Sequence, residues 1–368
     1  MLYKNFKDIS LSRLGMGNMR LPVDSSKEGS PVDYDKAQEM IDYAMSQGIN
    51  YYDTAYVYHN GESETFLGHA MNKYPRESYY LATKFNIHAN SDYKATFEEQ
   101  LEKLQTDYID FYLLHAVMDH TYEQYIDCGC IDYFVEQQKK GRIKYLGFSS
   151  HSSPEVLEKM ASYRKWDFVQ IQLNYYDWMY GSAKKEYEIL TEKNIPVMVM
   201  ESIRGGRLSS LTDSANELLK KAEPERSISS WALRFLMSLP NVQVMLSGMS
   251  TLEQAQDNIG TFSHDCALSE EETQLLLKAC DLFHGDVVVP CTGCRYCCEG
   301  CPQQIDIPSV LAIYNKLKTD GTWGIRETID KIEAGKGPGD CIGCGACLTE
   351  CPQSIQIPDM MAELAAVK

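Results

Sequence analysis

Residues 80–115 read YLATKFNIHANSDYKATFEEQLEKLQTDYIDFYLLH. Two apolar runs, 80–84 and 109–115, flank a longer stretch of helical spacing, which is the grammar of strand, helix and parallel strand. Each run ends on a side chain capable of chemistry, Lys84 in the first and His115 in the second. The alternation continues outward in both directions. Further short apolar runs lie at 12–17, 50–52, 145–149, 168–173, 197–200 and 242–247. Eight strands separated by helical stretches predict an α/β fold, the parallel (β/α)8 or TIM barrel, with a doubly wound sheet as runner-up.

The intervening segments carry their own punctuation. After the candidate cap Asp33, the residues Ala37, Met40, Ile41, Ala44 and Met45 recur at spacings of three and four, and Gly48 ends the turn. The last helix of this part opens with Ser269-Glu270-Glu271-Glu272, a capping-box pattern, and places Leu275, Leu276, Ala279 and Phe283 on one side.

Beyond Gly285 the pattern changes. Residues 291–308 read CTGCRYCCEGCPQQIDIP and residues 341–358 read CIGCGACLTECPQSIQIP, a repeat at a period of fifty with helical patterns between its halves. The expected domains are therefore 1–285 for the barrel and 286–368 for a small, mainly helical module built by duplication. Eight of the 13 cysteines fall in this repeat; Cys128, Cys130, Cys266, Cys280 and Cys298 lie outside its pattern. Clustered cysteines in a reducing compartment read as metal ligands rather than disulfides.

Each half has C-x2-C-x2-C and, after three more residues, a fourth cysteine followed by proline. Thiolates two residues apart on a loop can hold three corners of a [4Fe-4S] cube, while the fourth is carried away to the other cube. On this reading Cys291, Cys294, Cys297 and Cys351 hold one cluster, and Cys341, Cys344, Cys347 and Cys301 hold the second. Zinc is the alternative for four-cysteine sites, although zinc pairs usually stand on a longer loop. The eight cysteines and both prolines, Pro302 and Pro352, resemble the bacterial two-cluster ferredoxins, with a longer, helical linker between the halves. Cys298 and the isolated cysteines read as packing residues or spare thiols.

The chain has 368 residues, 44% hydrophobic and 24% charged, with a net charge of −17. That composition excludes wholesale disorder, and the acidic balance without a basic tract argues against nucleic acid or an anionic membrane as partner. No apolar run reaches a membrane span's length and the first residues lack a signal-peptide core, so a cytoplasmic protein is expected.

In a parallel barrel the carboxyl ends of adjacent strands share one face. Asp53 and Tyr58 follow the second expected strand, Lys84 ends the third and His115 the fourth, so the four should converge. Taken singly, each reads as a solvated or structural side chain. As a set they suit carbonyl chemistry: Tyr58 as proton donor, Lys84 as the cation that makes its phenolate less costly, Asp53 holding Lys84, and His115 orienting the substrate oxygen.

With these residues, the stretch from 1 to about 283 resembles the aldo-keto reductase superfamily. The resemblance implies a barrel that binds NAD(H) or NADP(H) without a Rossmann fingerprint, and Gly15-Met16-Gly17-Asn18-Met19-Arg20 indeed lacks the third glycine. It implies carboxamide contacts from Ser149, Ser150 and Gln170, and phosphate contacts from Ser247, Gly248, Gln254 and Asn258. Two departures stand out. Gln254 occupies a position where phosphate-specific members often carry arginine, and Glu201 stands where an aromatic usually stacks on nicotinamide.

A nicotinamide moves two electrons as a hydride, whereas an iron-sulfur cluster moves one at a time. Either a flavin or a flavoprotein partner mediates, or the clusters serve structure or redox sensing, or the substrate is reduced in single-electron steps; a ferredoxin or flavoprotein is the expected redox partner. The leading expectation is an oxidoreductase interconverting an aldehyde or ketone and its alcohol, with the clusters serving one-electron transfer. The alternative is a redox-responsive dinucleotide-binding protein whose ferredoxin domain docks a partner.

Overall fold

The computed structural model describes residues 1–368 apart from Thr292, Pro352 and Lys368, and of Glu299 only the backbone. Ten strands precede residue 250: β1 (Tyr3–Phe6), β2 (Ile9–Ser12), β3 (Leu14–Gly17), β4 (Tyr51–Asp53), β5 (Tyr80–Phe85), β6 (Ile109–Val117), β7 (Ile143–Ser150), β8 (Phe168–Gln172), β9 (Val197–Met200) and β10 (Val242–Ser247). Strands β3 to β10 close a barrel in chain order, and every neighbouring pair is parallel, including the closing pair of β10 with β3. Closure sets aside the doubly wound alternative.

The strands are short and apolar because helices cover their outer faces and side chains fill the interior, leaving no face for water. Packing between β7 and β8 is close enough to dictate a residue type. A Cβ on Gly147 would stand 2.5 Å from the Phe168 carbonyl oxygen, so only glycine fits. The helix Tyr34–Ser46 begins as expected, with Asp33 Oδ1 accepting from Lys36 N at 3.2 Å. At the helix Glu270–Val287 the capping box is reciprocal: Glu272 N donates to Ser269 Oγ at 3.1 Å and Ser269 N to Glu272 Oε2 at 2.8 Å.

The antiparallel hairpin of β1 and β2 was not foreseen. Its Phe6 and Leu11 are buried in one cluster with Tyr51, Phe111, Phe168 and Met198. Tyr51 and Phe168 are the first residues of their strands, so the hairpin covers the amino end of the barrel and the carboxyl end is left for the site.

The chain divides into two compact units, Met1–Ile203 with Ser229–Thr273, and Arg204–Ile228 with Gln274–Lys368. The segment following β9 thus belongs with the C-terminal residues. Within that second unit Arg204 pairs with Asp320 at 2.7 Å, and Arg207 donates to the Lys318 carbonyl. Among its described residues the unit holds helices and no strand. Its core includes Ile305, Val310, Leu311, Ile325, Ile355 and Ile357.

The fifty-residue repeat is visible in the backbone. Gly293 and Gly343 (φ 70° and 66°), Arg295 and Gly345 (68° and 75°), and Gln304 and Ser354 (52° and 55°) form left-handed pairs at matching positions. A short helix follows the second pair, Tyr296–Glu299 in one half and Ala346–Glu350 in the other. A longer one, begun by an Ile-Pro step, follows the third: Ile307–Asp320 and Ile357–Ala365. No helix among the described residues is long and apolar enough to cross a membrane.

Candidate active site and thiol cavities

Asp53 is the last residue of β4, Lys84 lies near the end of β5 and His115 near the end of β6. Tyr58 is delivered by the turn after β4, where His59 and Asn60 both take left-handed backbone angles. Lys84 is wholly buried, and its Nζ donates to Asp53 Oδ1 at 2.6 Å and to the Thr54 carbonyl at 2.7 Å. Nζ stands 5.0 Å from the centre of the Tyr58 ring. The Tyr58 and His115 rings meet edge to face, with centroids 5.8 Å apart. The four expected side chains come together.

Their electrostatics follow from burial and from each other. Burial alone would lower Lys84, but Asp53 and Tyr58 outweigh it and hold the ammonium above the ordinary lysine range. Burial raises Asp53 against the pull of Lys84. Burial also raises Tyr58; Lys84 opposes that, while Asp53 and Glu201 add to it. The expectation that Lys84 makes the phenolate less costly describes the direction of its pull, but burial wins, and Tyr58 stays protonated at neutral pH. His115 is pushed far below the ordinary histidine range by burial, then by Lys84 and His151. It is neutral, and its Nδ1 has no hydrogen-bond partner among the described residues.

A buried polar layer lies behind this set. Glu64 Oε1 accepts from Thr83 Oγ1 at 2.5 Å and from Gln100 Nε2 at 2.6 Å, and Gln100 Nε2 also donates to the Lys84 carbonyl at 3.0 Å. These bonds fix the backbone of β5 where Lys84 projects. Asn18 Nδ2 donates to the Asp53 carbonyl at 2.9 Å and does the same for β4.

The remaining expected contacts sit at the same end of the barrel. Ser149 and Ser150 end β7, where Ser149 Oγ accepts from Ala116 N at 2.8 Å and Ser150 Oγ lies 2.8 Å from Ser152 Oγ. Gln170 on β8 is buried, with Nε2 on Met200 Sδ at 3.5 Å and Oε1 without a partner among the described residues. Asn258 Nδ2 donates to Ser247 Oγ at 3.0 Å, and Gln254 Oε1 accepts from Ser250 N at 2.8 Å. Around Gly248 the structure adds a cation that sequence reasoning missed. The Arg20 side chain lies against Gly248, within 3.2 Å of where a Cβ would be, and its carbonyl accepts from Ser250 Oγ at 2.8 Å. Only its place in the turn after β3 could have signalled it.

Also unforeseen is a polar pocket of about 200 Å3 between the ends of β7 and β8, lined by Ser150, His151, Gln172, Asp177 and Glu186 among others. Glu201 follows β9 in a left-handed conformation (φ 56°), its carbonyl accepting from Asn174 Nδ2 at 3.0 Å.

In the second unit the eight repeat cysteines line two cavities. Cys301, Cys341, Cys344 and Cys347 line one; Cys291, Cys294, Cys297 and Cys351 line the other. Each cavity thus takes three thiols from one half of the repeat and one from the other. Ile357 forms part of both walls. Burial, then Cys298 and Cys291, push the Cys297 thiol up to about 12; burial, then Cys341, Cys344 and Cys301, raise Cys347. The eight repeat cysteines are not joined in disulfides. Pro302 lines the first cavity, and Pro352 lies outside the described residues.

The sequence model of the Aldo/keto reductase family matches residues 13–280. The chain belongs to that family. A second model, the 4Fe-4S dicluster domain, matches residues 290–355, so this aldo/keto reductase carries an iron-sulfur domain after its barrel. The uncharacterized oxidoreductase YqkF of Bacillus subtilis is 28% identical over 73% of this chain and 92% of its own. The NADH-specific methylglyoxal reductase of Escherichia coli is 24% identical over 73% and 94%. Among solved structures, the holo form of aldo-keto reductase AKR11C1 from Bacillus halodurans aligns with a TM-score of 0.64 at 26% identity, covering 76% of this chain and 96% of that one. A Klebsiella pneumoniae aldo-keto reductase in complex with NADPH, at 19% identity and a TM-score of 0.60, shares the fold over 77% and 96%.

Proposed function

We propose that the protein interconverts a small aldehyde or ketone and its alcohol with a nicotinamide cofactor, and that its C-terminal domain holds two [4Fe-4S] clusters for one-electron transfer. The observation that carries the first part is the convergence of Lys84, Asp53, Tyr58 and His115. The matching protonation states are an ammonium, a protonated phenol and a neutral imidazole.

The residues present fit a dinucleotide. Gln170 Oε1 is a buried acceptor that lacks a donor among the described residues, and a carboxamide NH2 would supply one. Gly248 offers backbone approach at the start of the segment leading into the helix Leu252–Thr261, with Arg20 alongside as counter-charge for phosphate. Bound there, a reduced nicotinamide supplies a hydride to a carbonyl carbon. The chain's own part is to hold the carbonyl oxygen between Tyr58 and His115 and to deliver the Tyr58 proton to it. Lys84, tied to Asp53, stabilises the phenolate that remains. Metabolite-scale substrates are in keeping with the methylglyoxal reductase among the relatives.

The donor sets of the two cavities fit iron-sulfur cubes. Four thiols line each cavity, while no three His, Cys, Asp or Glu among the described residues close on a point where a single ion would sit. That arrangement suits a cube better than a lone zinc. Because hydride and single-electron chemistry do not exchange directly, a flavin or a flavoprotein partner joins the two halves of the function, and a ferredoxin can serve only as a one-electron partner of the clusters.

Tyr58→Phe tests the assignment. Carbonyl turnover should fall by about 10²- to 10⁴-fold, the usual weight of a positioned general acid, with iron and acid-labile sulfide unchanged. Retained turnover would remove Tyr58 from its role, and a colourless, zinc-containing preparation would remove the clusters.

A further inference from the structure

We propose that Cys128 and Cys130 form a redox-modification site, a neighbouring dithiol that closes to an intramolecular disulfide when it meets a small-molecule disulfide. Cys128 caps the helix Tyr122–Asp127, Gly129 turns the chain with a left-handed φ of 81°, and Cys130 opens the helix Cys130–Lys139. Two residues span at most about 7 Å even when extended, and the bend at Gly129 shortens that toward the Cα separations disulfides use. The side chains already face one another's position. Both thiols donate to one acceptor, the Tyr125 carbonyl, Cys128 Sγ at 3.7 Å and Cys130 Sγ at 3.5 Å.

Their exposures set the order of events. Cys128 is half-buried and open to attack, whereas Cys130 is fully buried. The Cys128 thiolate attacks glutathione disulfide, forming a mixed disulfide and releasing one glutathione thiolate. The Cys130 sulfur then displaces the second glutathione, closing the Cys128–Cys130 bond. Two protein thiols are oxidised, one glutathione disulfide is reduced to two glutathiones, and the two protein protons end on them. A bridge across a three-residue loop is strained and so readily reduced again, which is the behaviour of a switch rather than a staple.

Tyr125 connects this site to the barrel mouth. Its carbonyl holds both thiols, and its phenol donates to the His115 carbonyl at 2.6 Å and accepts from Ile87 N at 3.3 Å. Oxidation removes both S–H donors from the residue that anchors the His115 backbone. On the carbonyl-reductase reading proposed above, closing the bridge therefore lowers turnover through the position of His115.

The test uses anaerobically purified holoprotein incubated with glutathione disulfide, with cluster absorbance monitored throughout, then alkylated and digested. The peptide carrying both cysteines should resist alkylation and weigh two hydrogens less, and dithiothreitol should reverse this. Carbonyl turnover should fall severalfold with the bridge and recover with it. Cys128→Ser and Cys130→Ala should each keep basal turnover and lose both the bridge and the sensitivity. Full alkylation of both thiols after incubation, a persistent glutathione adduct on Cys128, or equal sensitivity in the variants would overturn the proposal. The peptide readout does not involve carbonyl chemistry, so a failed substrate assignment leaves it intact.

Discussion

Replacing Asp53 by asparagine isolates the buried ion pair at the centre of the site. Lys84 has no exposed side-chain surface and Asp53 has 3%. Asp53→Asn leaves the ammonium with the Thr54 carbonyl and no counter-charge, and an uncompensated buried charge costs about 3–5 kcal/mol. Lys84→Met strands the carboxylate at a similar cost. The double variant has neither charge, and replacing a buried pair by neutral groups of like size is often close to neutral. It should therefore lie within about 2 kcal/mol of wild type. The assay is equilibrium urea unfolding at pH 7, followed by tryptophan fluorescence, since Trp166, Trp178 and Trp231 all lie in the barrel unit. Lys84 titrates above its unfolded value, so its contribution is complete at neutral pH and is lost only as alkali carries the pH through the raised folded value. If the double variant loses as much as the sum of the single ones, the two groups are uncoupled and the ion pair does not organise the site.

His115 is depressed below its unfolded value, so the unfolded chain binds more protons below about pH 6.5 and stability should fall as acid is added. His115→Asn should flatten the stability–pH curve there by up to about 1.4 kcal/mol per pH unit, leaving the share of His151 and His59, which are also lowered. Paired cysteine variants read out the crossed arrangement: Cys301→Ser with Cys344→Ser should remove one cluster's iron and sulfide, whereas Cys301→Ser with Cys294→Ser should deplete both. Equal loss from the two pairs would refute the crossing. Arg20→Ala should weaken dinucleotide binding, measured by fluorescence titration, by roughly tenfold or less, the weight of one charge-assisted contact at an exposed site; unchanged affinity would take Arg20 out of the pocket.

The barrel was legible because its strands are buried on both faces and therefore read as apolar runs, and because Lys84 and His115 interrupt those runs at their ends. The helix caps at Asp33 and Ser269 were legible for a local reason, since each bonds within three residues. The β1–β2 hairpin was hidden because its strands are four residues long and it turns at Lys7-Asp8 without glycine, Lys7 itself adopting φ 52°. Arg20 and the His151 pocket were hidden for another reason. Their neighbours, Gly248 and Glu186, are distant in sequence, and no period or spacing links them. The cysteine pattern lay between these cases: spacing suggested which thiols share a cavity, because the Cys-Pro step after the third thiol carries the fourth away toward the other half of the repeat.

Ile357, which belongs to both thiol cavities, has a consequence for how the domain would be charged. The same residue stands in the wall of each compartment, so with both occupied neither centre could change its electrical state unnoticed by the other. The first reducing equivalent to arrive would make room for the next less welcoming, and the loaded domain would release its last electron reluctantly and its first one freely. Substituting a smaller residue at that position would let solvent in on both sides at once, shifting two potentials with a single change.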